Sequence, residues 1–180
     1  MDLRVKRTIK SINEAFFELR KKKPLDKISV KELSELAMIN KATFYLHYHD
    51  IYELSDTLEN EIINKIINET RTLRFINLKS DFPNFAETVS KAIIANAGEI
   101  EILFSGFDNN DFINRLEDSI KKYIFSSYPS VRNNTENNLL FTFIIQGAFH
   151  TYVRNTSVRT DVLVDRTTSM MTGLVNSYSF

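Results

Sequence analysis

The stretch from Lys41 to His49 has the composition of a surface that binds a polyanion. It contains one lysine, two histidines and two tyrosines, and it has no Asp or Glu. Ammonium, imidazole and hydroxyl groups bind phosphate oxygens, whereas a carboxylate is repelled by them. The stretch therefore favours contact with a nucleic acid.

These residues divide into two faces if the stretch is helical. Phe44 and Tyr48 are four residues apart and share one face, which we expect to be buried with Ile39. The outward face then holds the remaining positions: Lys41, Ala42, Thr43, Tyr45, Leu46 and His47.

The outward residues suit different parts of DNA. Lys41 suits a phosphate because its charge lies at a helix N-terminus, and the Tyr45 hydroxyl and His47 suit phosphates as well. Ala42 and Thr43 are the candidates to approach base edges. Leu46 cannot bond a phosphate but is suited to touch a thymine methyl group.

Two helices are predicted to precede this stretch. Apolar residues at helical spacing predict the first helix: Val5, Ile9, Ile12, Phe16 and Leu19. The basic run 20–23 follows, which we interpret as a solvated helix end, and Pro24 ends the helix. Ser29 and Glu32 are spaced as a capping box for a second helix, which ends near Met38.

The cap at Asn40 places the third helix at 41–48, after a turn of about three residues. A short helix, a tight turn and another short helix form the pattern of a helix-turn-helix. Ser29 and Lys31 open the helix that crosses the DNA backbone, so each is a candidate phosphate contact. A capping-box-like start at Asp50 predicts a fourth helix that continues to about Arg74.

These residues resemble the DNA-binding domain of TetR-family transcriptional regulators over about residues 5–60. The sharpest part, Lys41-x-Thr43-Phe44-Tyr45-x-His47-Tyr48, is similar to that family's Lys-Gly-Thr-Leu-Tyr-x-His-Phe pattern. The resemblance implies a helix-turn-helix domain at 1–50 and a helical dimerisation and effector-binding domain at 51–180. Together these give an all-α fold of about nine helices.

The sequence departs from the family pattern at three positions. Ala42 replaces the usual Gly, Ile51 replaces a Lys after the fourth-helix cap, and Leu46 lies where a polar residue is common. The Ile51 replacement removes one expected phosphate contact.

The composition limits the fold classes and the kinds of site that the chain can form. The chain has 180 residues, of which 43% are apolar and 26% charged, with only four Gly and three Pro. So few turn-forming residues favour helices over a many-stranded sandwich or barrel. The absence of Cys excludes disulfides, thiolate metal sites and Cys nucleophiles. Residues 1–50 carry eleven basic and seven acidic side chains, whereas the net charge of the whole chain is zero.

Neither an enzyme nor a metal protein is indicated. His47 and His49 are two residues apart, which points them to opposite sides of a helix, and no Gly-rich phosphate loop or nucleophile elbow occurs. We expect no cofactor and no catalytic residue. The longest apolar run, 139–149, is too short for a membrane span, so we expect a cytoplasmic protein without membrane contact.

Further helices are predicted throughout the second domain. We place them at 82–97, 99–104, 112–125, 139–154 and 162–178, with a break at Asp81–Pro83. The resemblance implies that the last two helices pair with those of a second chain in a four-helix bundle, where Gly147 and Ala148 allow close approach. A monomeric core is the other interpretation.

Aromatic residues of the second domain, among them Phe141 and Tyr152, are candidates to line an apolar cavity. An ordinary packed core is the alternative. The residues that we assign to an effector pocket are Phe104, Phe112, Phe143, Gln146 and His150.

The sequence thus predicts a homodimeric, sequence-specific transcriptional regulator that binds an inverted repeat in double-stranded DNA. The expected mode is a repressor released by an effector, either a small apolar or aromatic molecule or a protein. The alternative is a coregulator that binds proteins through the second domain, with little or no direct DNA contact.

Overall fold

The computed structural model describes residues 3–73, 76–104, 110–131 and 133–180. In these ranges the chain forms nine α-helices and two short 3₁₀ turns, and no strand occurs. The predicted all-α fold is confirmed. The helices are α1 (Leu3–Arg20), α2 (Val30–Leu36), α3 (Lys41–Tyr45), α4 (Ile51–Glu69), α5 (Leu78–Ala95), α6 (Ala97–Phe104), α7 (Asn110–Ser127), α8 (Thr135–Arg154) and α9 (Thr160–Ser177).

The chain divides into two compact units. The first unit comprises Met1–Ile62 and Gly98–Asn109, and the second comprises Ile63–Ala97 and Asn110–Phe180. The first unit therefore extends beyond residue 50 into α4 and includes α6. Among the described residues, no helix is both long and apolar enough to cross a bilayer.

The first unit is built on the apolar stripe of α1. Ile12 and Phe16 are buried, and α1 packs on α2, which packs on α3 through the buried Leu33 and Phe44. This arrangement follows from the helical spacing of the apolar residues, which gives each helix one face to bury.

The end of α1 differs from its prediction as a solvated basic run. Arg20 is only 4% exposed, and its guanidinium donates to the carbonyl oxygens of Lys23 at 3.1 Å and of Leu103 at 2.9 Å. The expectation is wrong for Arg20 because these carbonyls, one of them in α6, accept hydrogen bonds from its guanidinium. Burial lowers the pKa of Arg20 below its usual value.

The second unit has its core between α5, α7, α8 and α9. Helix α5 packs along α9, and α7 packs on α8. The largest buried side chains there are aromatic: Phe82, Phe85, Phe112, Tyr128, Phe141, Phe149 and Tyr152.

The predicted break at Asp81–Pro83 is wrong, because α5 begins at Leu78 and contains Pro83. The Asn77 side chain accepts hydrogen bonds from the backbone N–H groups of Lys79 and Ser80. The Asp81 carboxylate accepts from the N–H groups of Ile76 at 2.7 Å and of Asn77 at 2.9 Å. These caps stabilise a turn ahead of the proline, so the helix starts before it.

Smaller differences concern helix ends. Helix α3 ends at Tyr45 rather than at residue 48, and α4 ends at Glu69 rather than near Arg74, which lies outside the described residues. Helix α8 begins at Thr135 rather than at 139, because Asn134 caps it by accepting from the Asn137 N–H at 2.9 Å.

Candidate nucleic-acid interface

The start of α2 is fixed by Ser29. Its hydroxyl oxygen accepts a hydrogen bond from the Glu32 N–H at 3.2 Å, as the capping pattern predicts. The Glu32 carboxylate binds the ammonium group of Lys23, with each oxygen 2.6 Å from Nζ. The cap leaves the side chains of Ser29 and Lys31 exposed at the N-terminal end of α2.

The start of α3 is fixed by Asn40. Its Oδ1 accepts from the Thr43 N–H at 2.8 Å and from the Thr43 hydroxyl at 3.0 Å. Asn40 therefore both caps the helix and orients the Thr43 side chain.

The turn between α2 and α3 has a strained backbone at Met38. Its φ of 56° lies in the left-handed region, and it is the one such non-glycine residue in the described part of the chain. Its side chain is 93% exposed. A side chain at positive φ costs free energy, since Cβ approaches the following carbonyl oxygen.

The inner face of α3 contains the two residues that were predicted to be buried. Phe44 is completely buried, and Tyr48 packs against it with ring centroids 5.7 Å apart. Burial raises the pKa of Tyr48, and the negative charges of Glu61 and Glu53 raise it further. Ile39 is half-buried.

The outer face of α3 is open to solvent. Lys41, Ala42, Tyr45 and Leu46 are exposed, with Leu46 at 81%, and Thr43 and His47 are half-buried. We call these six residues the recognition face. The structure thus brings together all six outward residues that the helical pattern predicted, and none is acidic.

The start of α4 borders this region. The Asp50 carboxylate accepts from the Glu53 N–H at 2.8 Å, and Glu53 accepts from the His49 N–H at 2.5 Å, so the predicted capping pair is confirmed. Ile51 is buried in the core. Tyr52 is exposed just inside this cap, next to the buried Ile51, and sequence reasoning did not single it out.

Solved structures share this arrangement of helices. A TetR-family transcriptional regulator from Streptomyces coelicolor matches with a TM-score of 0.68 and 12% identity, over 98% of this chain and 99% of its own. The chain has the fold of a TetR-family regulator. The fatty acid degradation regulator FadR from Bacillus halodurans matches with a TM-score of 0.59 and 12% identity, over 92% of this chain and 95% of its own. No family model matches the sequence, and no curated protein is significantly similar to it.

A second exposed surface of this TetR-like fold lies on the last two helices. On α8, Leu139, Phe143 and Gly147 are four residues apart and exposed, with Phe143 at 68%. On α9, Met170 and Leu174 are exposed with the same spacing. We call these five residues the α8–α9 face.

The second unit also contains a small cavity of about 40 Å³. Its wall is apolar, and its polar groups come from Ser90 and Tyr152, whose hydroxyl oxygens are 2.6 Å apart. Both Phe141 and Tyr152 line it, as does Ala148. Drug-sized ligand sites have volumes of about 300–1,000 Å³, so this cavity is far smaller than such a site.

Four of the five residues assigned to an effector pocket have described side chains, and none of these four lines this cavity. Phe112 is buried against Phe149, and Phe143 lies on the α8–α9 face. Gln146 donates to the Glu117 carboxylate at 2.7 Å, and His150 packs its ring on Phe149. The side chain of Phe104 lies outside the described residues.

Proposed function

We propose that this chain is a dimeric, sequence-specific DNA-binding transcriptional regulator. The observation that supports this most directly is the recognition face, which is exposed, carries a lysine and hydroxyl groups, and contains no carboxylate. The TetR-like fold of the chain agrees with it. In a helix-turn-helix, the second helix enters the major groove while the first crosses the backbone.

The proposed contacts follow from the chemistry of each exposed group. Lys41, Tyr45 and His47 bind phosphates of the strands that border the groove, and Ser29 and Lys31 bind phosphates from the start of α2. Ala42, Thr43 and Leu46 face the base pairs. One such unit makes few contacts, so two units acting together are needed for tight binding.

We propose that the α8–α9 face supplies the homodimer contact. Its apolar side chains lie along two long helices, and a Cβ added at Gly147 would have no atom within 4 Å, so the helix surface is open there. Exposed apolar side chains that repeat along a helix at this spacing are typical of a protein interface. A two-fold dimer would bind an inverted repeat, because operator symmetry follows protein symmetry.

We further propose that the regulator is a repressor and that an effector releases it from DNA by entering the second unit. The cavity lined by α5, α7, α8 and Met171 of α9 is the starting point, with Ser90 and Tyr152 as its polar groups. An effector has to enlarge this cavity in order to bind. That change in the second unit would couple effector binding to DNA binding. A small apolar or aromatic alcohol fits the lining.

Thermodynamic linkage requires that operator DNA weaken effector binding by the same factor as the effector weakens DNA binding. Calorimetry of effector binding with and without DNA measures this factor.

The first test is selection of bound duplexes from a random DNA pool at two salt concentrations. We expect an inverted repeat. Its affinity should fall about 10³-fold between 50 and 200 mM salt if about six phosphates are neutralised. Recovery of no sequence by a folded dimer would contradict the proposal.

A matched pair of variants locates the interface. Lys41→Gln should reduce the slope of log affinity against log salt by about one unit, because one phosphate contact is lost. Lys122→Gln removes another exposed lysine, from α7 in the second unit, and should leave the slope unchanged.

The second candidate function is a protein-binding coregulator with this fold. The exposure of Leu46 and Met38 favours it, because exposed apolar side chains also mark protein contacts. If the chain is a coregulator, Tyr45→Ala should not change DNA binding. If it is the proposed DNA-binding regulator, the same substitution should reduce the free energy of DNA binding by about 1–2 kcal/mol.

A further inference from the structure

We propose that α3 recognises its half-site through the C5 methyl groups of thymines, contacted by Leu46, Ala42 and the methyl group of Thr43. This inference rests on the proposed DNA-binding function and adds the chemical class of the site. It concerns which bases the regulator selects.

The first step is the geometry of α3. With 100° between successive residues, Ala42 and Leu46 lie about 160° and 200° around the helix from the buried Phe44. These two residues therefore form the point of the helix farthest from the protein core. Both are exposed, and neither carries a hydrogen-bonding group in its side chain.

The second step concerns Thr43, the remaining candidate for base contact. Its hydroxyl donates its one proton to Asn40 Oδ1 at 3.0 Å, and the same oxygen holds the Thr43 N–H at 2.8 Å. The hydroxyl is therefore not available as a donor to a base. The same bond fixes the side chain and so fixes the position of its methyl group.

The third step concerns the other members of the recognition face. Lys41 and Tyr45 lie about 60° and 100° from Phe44 on one side of α3, and His47 lies about 60° away on the other side. These polar groups lie on either side of Ala42 and Leu46, in positions that suit contact with the two phosphate backbones. The face contains no Arg, Asn or Gln, which bond guanine or adenine with two hydrogen bonds. Lys can also bond guanine, but the one lysine of the face, Lys41, lies to the side of Ala42 and Leu46.

The ligand chemistry follows from the major groove. Thymine is the one standard base that presents an apolar group there, its C5 methyl, and 5-methylcytosine presents the same group. The apolar side chain of Leu46 is exposed to water, which is unfavourable. Contact with a thymine methyl group would remove part of this apolar surface from water. The basic excess of residues 1–50 and the absence of acidic residues from 41 to 49 match a DNA duplex as the occupant.

The experiment uses the full-length protein and the duplex that it selects from a random pool. Each thymine of one half-site is replaced in turn by deoxyuridine, which removes only the methyl group. We expect about fourfold weaker binding at one to three thymines near the centre of the half-site and no change at the others, which corresponds to one methyl-sized apolar contact each.

Protein variants assign each methyl to its side chain. Leu46→Asn replaces an exposed side chain by a polar one of similar size, so the fold is preserved; in this variant one deoxyuridine effect should vanish. Thr43→Ser keeps the hydroxyl bonded to Asn40 and removes only the methyl, so the effect at a second thymine should vanish. Val158→Asn changes an exposed apolar residue between α8 and α9 and should retain every effect.

A cytosine arm separates the two sources of the methyl group. Cytosine and 5-methylcytosine are each placed at a sensitive thymine, and we expect the methylated base to bind about fourfold more tightly. Deoxyuridine substitution without effect at every position would overturn the methyl contact while DNA binding stands. Failure to select any duplex would overturn the proposed function itself.

Discussion

The recognition face and the α8–α9 face both expose apolar side chains, but in different settings. On α3, Leu46 is flanked by a lysine, a threonine and a tyrosine, and the helix is one and a half turns long. On α8, Leu139 and Phe143 follow one another along a helix of 20 residues. An apolar point among phosphate-binding groups fits a DNA groove, whereas a long apolar stripe fits the same stripe on a second copy.

The largest expected effects come from removing a fully buried aromatic residue from the helix that carries each face. Phe44→Ala and Phe149→Ala each empty a fully buried site and should lower the free energy of unfolding by about 3–5 kcal/mol, measured in urea. Phe44→Ala should lose DNA binding and keep the dimer, because Phe44 supports α3. Phe149→Ala should weaken the dimer, measured by sedimentation. Loss of both properties in both variants would show that the two faces are not independent.

The next prediction concerns variants that add a carboxylate to each face. Phe143→Glu should raise the dimer dissociation constant at least about 30-fold, because an unpaired carboxylate would be buried in the interface. Leu46→Glu should weaken DNA binding by a similar factor, since the carboxylate would approach phosphates. Both residues are exposed, so the free energy of unfolding should change by less than about 0.5 kcal/mol.

Binding to a duplex that contains one half-site distinguishes loss of the dimer from loss of DNA contact. The Phe143→Glu protein should bind it with the affinity of the unmodified protein, because one unit is enough. Dimer loss in the Leu46→Glu protein would contradict the assignment of the α3 surface to DNA.

The elements of the first unit could be predicted because their signals are local. Ser29, Asn40 and Asp50 each precede a helix and accept a hydrogen bond from a backbone N–H three residues later. Phe44 and Tyr48 then define which face of α3 is buried. Spacing and capping together fix the outward residues without information from distant parts of the chain.

Arg20 could not be predicted because its partner lies far away in the sequence. One of its acceptors is the carbonyl oxygen of Leu103, 83 residues later. From sequence alone, an arginine in a basic run at a helix end is typical of a solvated residue. Only the packing of α1 near α6 decides otherwise.

The lining of the small cavity in the second unit could not be predicted for a related reason. Helix α8 is apolar almost all round, so its pattern does not distinguish the side of Phe141, which lines the cavity, from the side of Phe143, which is exposed. That choice depends on where α5 and α7 pack. The predicted break at Pro83 failed because the caps from Asn77 and Asp81 were not recognised.

The third prediction concerns how the stability of the second unit depends on pH. Glu117 of α7 accepts from the Lys121 ammonium at 2.7 Å, the Thr142 hydroxyl at 2.6 Å and Gln146 at 2.7 Å. Burial alone raises the pKa of Glu117, but these hydrogen bonds outweigh it and hold the pKa below its usual value. The stabilisation is therefore present above the unfolded-state pKa and is lost as the pH falls through the folded-state pKa.

Glu117→Gln should lower the free energy of unfolding by about 1–2 kcal/mol at pH 7, since hydrogen bonds to a charged group are lost. The difference from the unmodified protein should disappear in acid, where Glu117 is protonated. Asp118→Asn, an exposed neighbour on α7, is the control and should change little at either pH. A difference that is constant with pH would contradict the role of the Glu117 charge.

The smallest expected effect concerns the turn before the recognition face. Met38 has a φ of 56° and an exposed side chain, so it carries backbone strain without packing that offsets it. Met38→Gly should raise the free energy of unfolding by about 0.5–1 kcal/mol, because relief of the left-handed strain exceeds the entropy cost of glycine. Glu35→Gly, at an exposed helical position in α2, should lower it by about 1 kcal/mol instead. If Met38→Gly gains stability but binds the selected duplex more weakly, the Met38 side chain belongs with Leu46 among the DNA contacts, and the strain is retained for binding.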